Sequence, residues 1–208
     1  MLKRFQQATW KVVNLVNSPR KAQKITRSAV ASRVIFDQYL DAVKIMDARH
    51  FCAGSLSELS MRVGGGKFMI NPAGIPFSLV DKESLIFPGI EKISQDMAAD
   101  LPRHADWHQM IYMHTNAAAV LLCQPQNLMV VAVKNTKPSP GILKDADDLI
   151  GQLIIVPQEK FVEENIKEET GMRLVPSVGI LLWGQTLAQL IDRVEILERV
   201  CAISILND

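Results

Sequence analysis

No apolar run in this 208-residue sequence reaches the roughly 18 residues a membrane helix needs, so a spanning segment is not expected. Its three cysteines, Cys52, Cys123 and Cys201, are widely spaced, odd in number and without a CxxC pair. That suits reduced thiols in a cytoplasmic protein and argues against a disulfide framework. Excess charge is missing too. Against 23 Lys and Arg stand 22 Asp and Glu, a net charge of +1, which leaves no broad electrostatic footprint for nucleic acid. The N-terminus lacks the apolar core of a secretory signal, and no internal repeat or low-complexity segment occurs. A cytoplasmic protein with no nucleic-acid partner and no membrane span is the expectation.

What is present has ordinary globular proportions, 48% hydrophobic and 22% charged, in a chain long enough for one domain with a substantial core. Acid is absent from residues 1–36, which hold eight bases: Lys3, Arg4, Lys11, Arg20, Lys21, Lys24, Arg27 and Arg33. Such a lead suits a transit peptide, a membrane-surface helix or a solvated helical face, and the last is expected. Residues 1–27 are therefore read as a basic helical lead before a single domain over 28–208.

Apolar periodicity predicts a helix over Phe5–Val16 and a longer one over Ser28–Met46, with Val30, Val34, Ile35, Tyr39, Leu40, Val43 and Met46 on one stripe. Leu59–Val63 and Phe68–Ile70 read as strands joined by Gly64-Gly65-Gly66, because glycine takes positive φ without steric cost. A short strand is expected around Ser84–Phe87. Ala117–Cys123, Leu128–Val133, Leu153–Val156 and Ile180–Trp183 are short apolar runs bounded by Pro, Gly or Asn, the pattern of buried strands. Between them lie a Pro-rich loop, Lys137–Gly141, and a charged helix over Glu159–Thr170 with Gly171 as its C-cap. A final helix is predicted over Thr186–Ile205. Helices around short strands, several following one another as hairpins, imply a layered α/β sandwich with a mixed, largely antiparallel sheet.

The chemistry gathers in Leu101–Pro125, which holds three of the four histidines, His104, His108 and His114. His104 and His108 are four apart and face one way on a helix, the spacing of zinc-binding helices. With Cys123 as a third ligand they could form a metal site; the alternative, which is expected, is ordinary helix residues beside a cleft. Imidazole titrates near neutral pH, so His104 is the candidate acid/base, and Arg103 beside it could take a phosphate or carboxylate bidentately. Cys123 ends an apolar strand, where a buried thiol is usually inert. Arg62, Lys67 and the triple glycine read as a hairpin turn, since no helix with Lys-Ser/Thr follows to make a phosphate cradle.

Five landmarks then occur in order. They are Gly54-Ser55-Leu56-Ser57, Asn71-Pro72-Ala73-Gly74, the helix around His108-Gln109-Met110-Ile111-Tyr112, Ala119–Pro125, and Val178–Gly184 leading into the last helix. In order and spacing they resemble the class II aldolase/adducin family, the scaffold of fuculose-, rhamnulose- and ribulose-phosphate aldolases and epimerases. The resemblance covers roughly residues 30–205. It implies a three-layer α/β/α sandwich with a central mixed, largely antiparallel sheet, and rings of four subunits.

That resemblance also implies a divalent metal, usually zinc, held by three histidines as a Lewis acid. Their positions fall here on Leu122, Gln124 and Val178, so no metal cofactor is expected. The family's acid/base glutamate falls on His104, its two phosphate-binding serines on Pro102 and Arg103, and its loop asparagine on Ser55. Gly54, Ser55, Gly74, Arg103, His108, Cys123 and Gln124 are the expected former cleft, open to a small anionic ligand. The expected function is a degenerate, non-catalytic oligomeric binding or scaffolding protein, as the resemblance to the adducin head domain allows. The alternative is a metal-independent aldolase or epimerase acting on a sugar phosphate or small hydroxy-carbonyl compound.

Overall fold

Six strands form one sheet in the computed structural model, which describes residues 19–134, 146, 153–161 and 166–207. They are β1 (Glu58–Val63), β2 (Lys67–Ile70), β3 (Ala119–Cys123), β4 (Ile154–Ile155), β5 (Gly171–Val175) and β6 (Gly179–Gly184). Their order is β2-β1-β3-β6-β5-β4, antiparallel throughout except for the parallel pair β4 and β5. The described helices are α1 (Pro19–Ala48), α2 (Ala105–His114), α3 (Gln126–Val133), α4 (Gln158–Phe161) and α5 (Leu187–Asn207). The expected helix over Phe5–Val16 and the loop over Lys137–Gly141 lie outside the described residues.

The chain divides into two units, residues 1–38 and 39–208. In the first, Arg33 and Asp37 form an exposed ion pair one turn apart on α1, at 3.8 Å. The second holds the sheet and the core. Its central strands are buried on both pleat faces, as a sheet covered by helices requires. Val120 and Leu122 pair with Trp183 and Leu181, and all four pack with Trp107, Ile111 and Tyr112 of α2. The alternate residues, Leu121 and Leu182, are equally buried and point to the other face. This is the α/β sandwich with a mixed, largely antiparallel sheet that the sequence implies.

Three expectations need correction. Leu128–Val133 belongs to a helix, α3, where a strand was predicted. A six-residue apolar run cannot by itself distinguish the two. Here Glu198 of α5 decides it: its carboxylate accepts the backbone N–H groups of Asn127 and Leu128, each at 2.9 Å, and so caps the helix start. In the predicted helix over Glu159–Thr170, only the short α4 is helical among the described residues, and Gly171 opens β5, a strand the periodicity did not reveal. A Cβ at position 171 would collide with the Trp183 ring, while Trp183 Nε1 donates to the Glu168 carbonyl at 2.8 Å. That glycine serves close approach of strand and indole. Around Ser84–Phe87 there is a single bridge, Ile70 to Ile86.

The Glu198 cap is testable. Glu198→Ala should lower stability by about 1–2 kcal/mol, the usual worth of a cap made through charged hydrogen bonds. Urea unfolding followed by circular dichroism would read this as a lower midpoint at unchanged slope, and an unchanged midpoint would refute the cap's role.

Candidate functional site

Two periodicities meet at the site. Along β1 the pleat turns Glu58 and Ser60 to one face, two residues apart. Opposite them, α2 presents His104, His108 and Tyr112 at four-residue intervals, with His104 as the residue that begins the helix. Glu58 Oε1 accepts from the backbone N–H of His104 at 3.0 Å and from its ring Nδ1 at 2.9 Å. Glu58 Oε2 lies 3.5 Å from His108 Nε2, with no hydrogen-bond partner for either atom among the described residues. His108 Nδ1 sits 2.7 Å from Ser60 Oγ, which in turn lies 2.9 Å from Tyr112 Oη. Asn71 fixes the start of β1: its Oδ1 accepts from the Leu59 N–H at 2.8 Å and its Nδ2 donates to the Ser57 carbonyl at 3.1 Å.

One assignment of protons gives each hydroxyl donor an acceptor. Tyr112 donates to Ser60, Ser60 donates to His108 Nδ1, and the proton of neutral His108 lies on Nε2, facing Glu58. His104 carries a proton on Nδ1 toward the Glu58 carboxylate, and its Nε2 is the ring nitrogen with no hydrogen bond among the described residues. Burial pushes the His108 pKa down to about 4; Glu58 opposes the shift and His104 adds to it. Burial also raises the Tyr112 hydroxyl well above its usual range.

In front of this network opens a cleft of about 340 Å³. Ser55, Gly74, Arg103, His104 and Gln124 line it, together with Glu58 and Val178. Arg103 is exposed and makes no ion pair among the described residues. Gly54, at φ +57°, shapes the loop before Ser55 but does not line the cleft. Two further expected cleft residues are placed elsewhere as well. His108 is fully buried behind Glu58, and Cys123 is fully buried on the pleat face opposite Leu122. Burial raises the Cys123 thiol far above its usual pKa, so it carries no thiolate for nucleophilic work at neutral pH.

Gln124 is the most heavily engaged cleft residue. Its Oε1 accepts from Ser57 Oγ at 2.8 Å, and its Nε2 donates to the carbonyls of Leu56 at 3.3 Å and Val178 at 3.2 Å. One amide thus ties the end of β3 to the loop before β1 and to the turn between β5 and β6. Gly179, at φ +150°, permits this, since a Cβ there would lie 2.5 Å from the Cys123 carbonyl and 3.1 Å from Gln124 Nε2. The side chains do not suit a zinc ion. Leu122 and Val178 offer no donor atoms and the Gln124 oxygen is already engaged. Among the described residues, no three His, Cys, Asp or Glu side chains converge as ligands, His104, His108 and Cys123 included.

Glu58, Ser60 and Tyr112 escape the sequence reading. Apolar periodicity starts the strand at Leu59, one residue late, which leaves Glu58 in a loop. The usable signal is the match between Glu58 and Ser60 at period two and His104, His108 and Tyr112 at period four.

The fold, with this cleft at the end of β3, is that of the class II aldolases. L-fuculose-1-phosphate aldolase from Thermus thermophilus superposes with a TM-score of 0.70 at 16% identity, covering 83% of this chain and 93% of that one. YgbL from Escherichia coli gives 0.73 at 15% identity, covering 86% and 91%. A sugar-phosphate aldolase from Thermotoga maritima gives 0.61 at 16%, covering 84% and 95%. No curated protein sequence matches the chain. The family described as Class II Aldolase and Adducin N-terminal domain matches residues 37–205, and the chain belongs to it.

Neutral His108 makes stability depend on pH in a defined direction. Its folded pKa, about 4, lies below the ordinary 6.5, so the unfolded chain takes up the proton first as pH falls. The contribution is complete above about pH 6.5 and is lost progressively down to about pH 4. Between pH 7.5 and 5 it amounts to about 2 kcal/mol. Urea unfolding at the two pH values should show that loss in the wild type and a markedly smaller one in His108→Gln. Equal losses in both would remove His108 as the source.

Proposed function

We propose that this family member binds a small anionic ligand in the cleft without a metal, as a non-catalytic binding or scaffolding protein of the cytoplasm. Its like subunits assemble, as the family resemblance implies, into a tetramer. The observation that carries this reading is the Gln124 amide. It bridges the segments that bear the family's metal-ligand positions, and both ends of the amide are committed to hydrogen bonds. Beside it, the exposed guanidinium of Arg103 supplies positive charge, and Ser55 adds a hydroxyl. Aldol cleavage needs an electron sink for the carbanion, and neither a metal-ligand set nor a cleft lysine is among the lining side chains.

The Glu58–His104 pair favours a second reading, a metal-independent aldolase or epimerase acting on a sugar phosphate. A histidine backed by a carboxylate is a competent proton acceptor. Cleavage of fuculose 1-phosphate by chelator-treated protein would select this reading over the first.

Elemental analysis of protein purified without a histidine tag should find far less than one zinc, manganese or iron per chain. About one tightly held metal per chain would overturn the metal-free reading. Sulfate should bind and raise the melting temperature, and Arg103→Ala should weaken it by about ten- to a hundredfold, matching the 1.5–3 kcal/mol typical of a charged hydrogen bond. Equal affinity in the variant would exclude Arg103 from the site.

A further inference from the structure

Within the cleft, a buried carboxylate stands behind the surface that would receive an anion. Glu58 is 2% exposed, and its charge opposes that of any anion approaching His104. Its Oε1 already accepts two N–H donors from His104, so the imidazole is held with Nδ1 protonated and Nε2 as the only ring atom left for a ligand. In its neutral form that nitrogen is a lone pair, which an anion's oxygen cannot use as a donor. Protonated, it becomes an N–H donor, and the Glu58–His104 pair becomes neutral.

We propose that the cleft takes up its oxyanion together with a proton, which His104 receives on Nε2 while Glu58 holds the imidazolium by Nδ1. This rests on the reading of the cleft as an anion site and specifies its ligand as a small phosphate, sulfate or carboxylate bound with proton uptake. The bond formed is Nε2–H, the proton comes from solvent, and no other bond changes. Glu58 acts through His104 and is a positioning residue.

The surroundings of His104 support a single proton-accepting group. From β1 it meets Glu58, and on α2 it meets His108 through the same carboxylate. Its ring packs against Trp107, centroids 4.4 Å apart and planes tilted by 47°, and Trp107 packs in a tilted contact against Phe161 of α4. The cleft's other cationic side chain is Arg103, and Gln124 and Gln158 are uncharged. His108 is an unsuitable acceptor, being fully buried with Nδ1 engaged by Ser60.

Calorimetric titration with sulfate, whose own charge is constant from pH 6 to 8, tests this directly. Binding enthalpies in two buffers of different ionisation enthalpy, such as Tris and HEPES at pH 7.5, should differ by the amount expected for up to about one proton taken up per sulfate. His104→Gln should abolish the difference. Glu58→Gln, which keeps the shape and the acceptor oxygen, should diminish it while sulfate still binds. Sulfate binding with the same enthalpy in both buffers overturns proton uptake and leaves the anion site standing. Unchanged uptake in His104→Gln overturns the assignment to this residue. Absence of any sulfate binding overturns the anion-site reading and this proposal with it.

Discussion

The Glu58 carboxylate is the constraint around which the rest of the site is arranged. A carboxylate this deeply buried loses several kcal/mol of hydration unless partners replace the water. Its partners here come from one segment: the backbone and ring of His104, with His108 one turn further on. Both contacts on Oε1 fall at the start of α2, where the positive end of the helix dipole adds to them. One side chain therefore ties β1 to the start of α2 and places a proton on His104 Nδ1. The backbone agrees with this arrangement, because Asn71 fixes the residues on either side of Glu58.

Glu58 and Gln124 together explain how the scaffold keeps its shape with different side chains. Glu58 lies directly across from Leu122 in the ladder between β1 and β3, beside one of the positions where the family resemblance would place a metal ligand. Gln124 occupies a second such position and reaches toward the third, at Val178. In the family resemblance the carboxylate comes from the α2 side, at the place of His104. Here the carboxylate sits on the strand, at Glu58, and the imidazole on the helix, at His104. A histidine facing the cleft with a carboxylate behind it has different chemistry from a lone carboxylate, although the cleft is built on the same backbone.

Much of this could be read from the sequence because its signals were local. The strands at β1, β2, β3 and β6 and the helix α5 each carry a run or period that few alternatives satisfy, and the five landmarks supplied their order. Where the structure departed from expectation, a distant partner had decided the matter. Leu128–Val133 is a helix because Glu198, some seventy positions on, caps it. Gly171 opens a strand because Trp183 needs the space a side chain would fill. In the cleft, Ser55, Gly74, Arg103, His104 and Gln124 are positions that the family resemblance named, and they line one cavity. Glu58 was not legible in the sequence, because its role exists only once β1 and α2 are packed together.

The polar groups behind the cleft form a connected set with one loose joint. Tyr112, Ser60 and His108 are linked at 2.7–2.9 Å, and Glu58 and His104 at 2.9 Å, whereas His108 and Glu58 are 3.5 Å apart. A full N–H···O bond would need about 0.5 Å less. In a low-dielectric interior such a gap is costly to leave and small enough to close by a slight rotation of either side chain. The gap lies between the half of the network that faces the cleft and the half that holds α2 to the sheet. The cleft and the packing of α2 thus share one carboxylate.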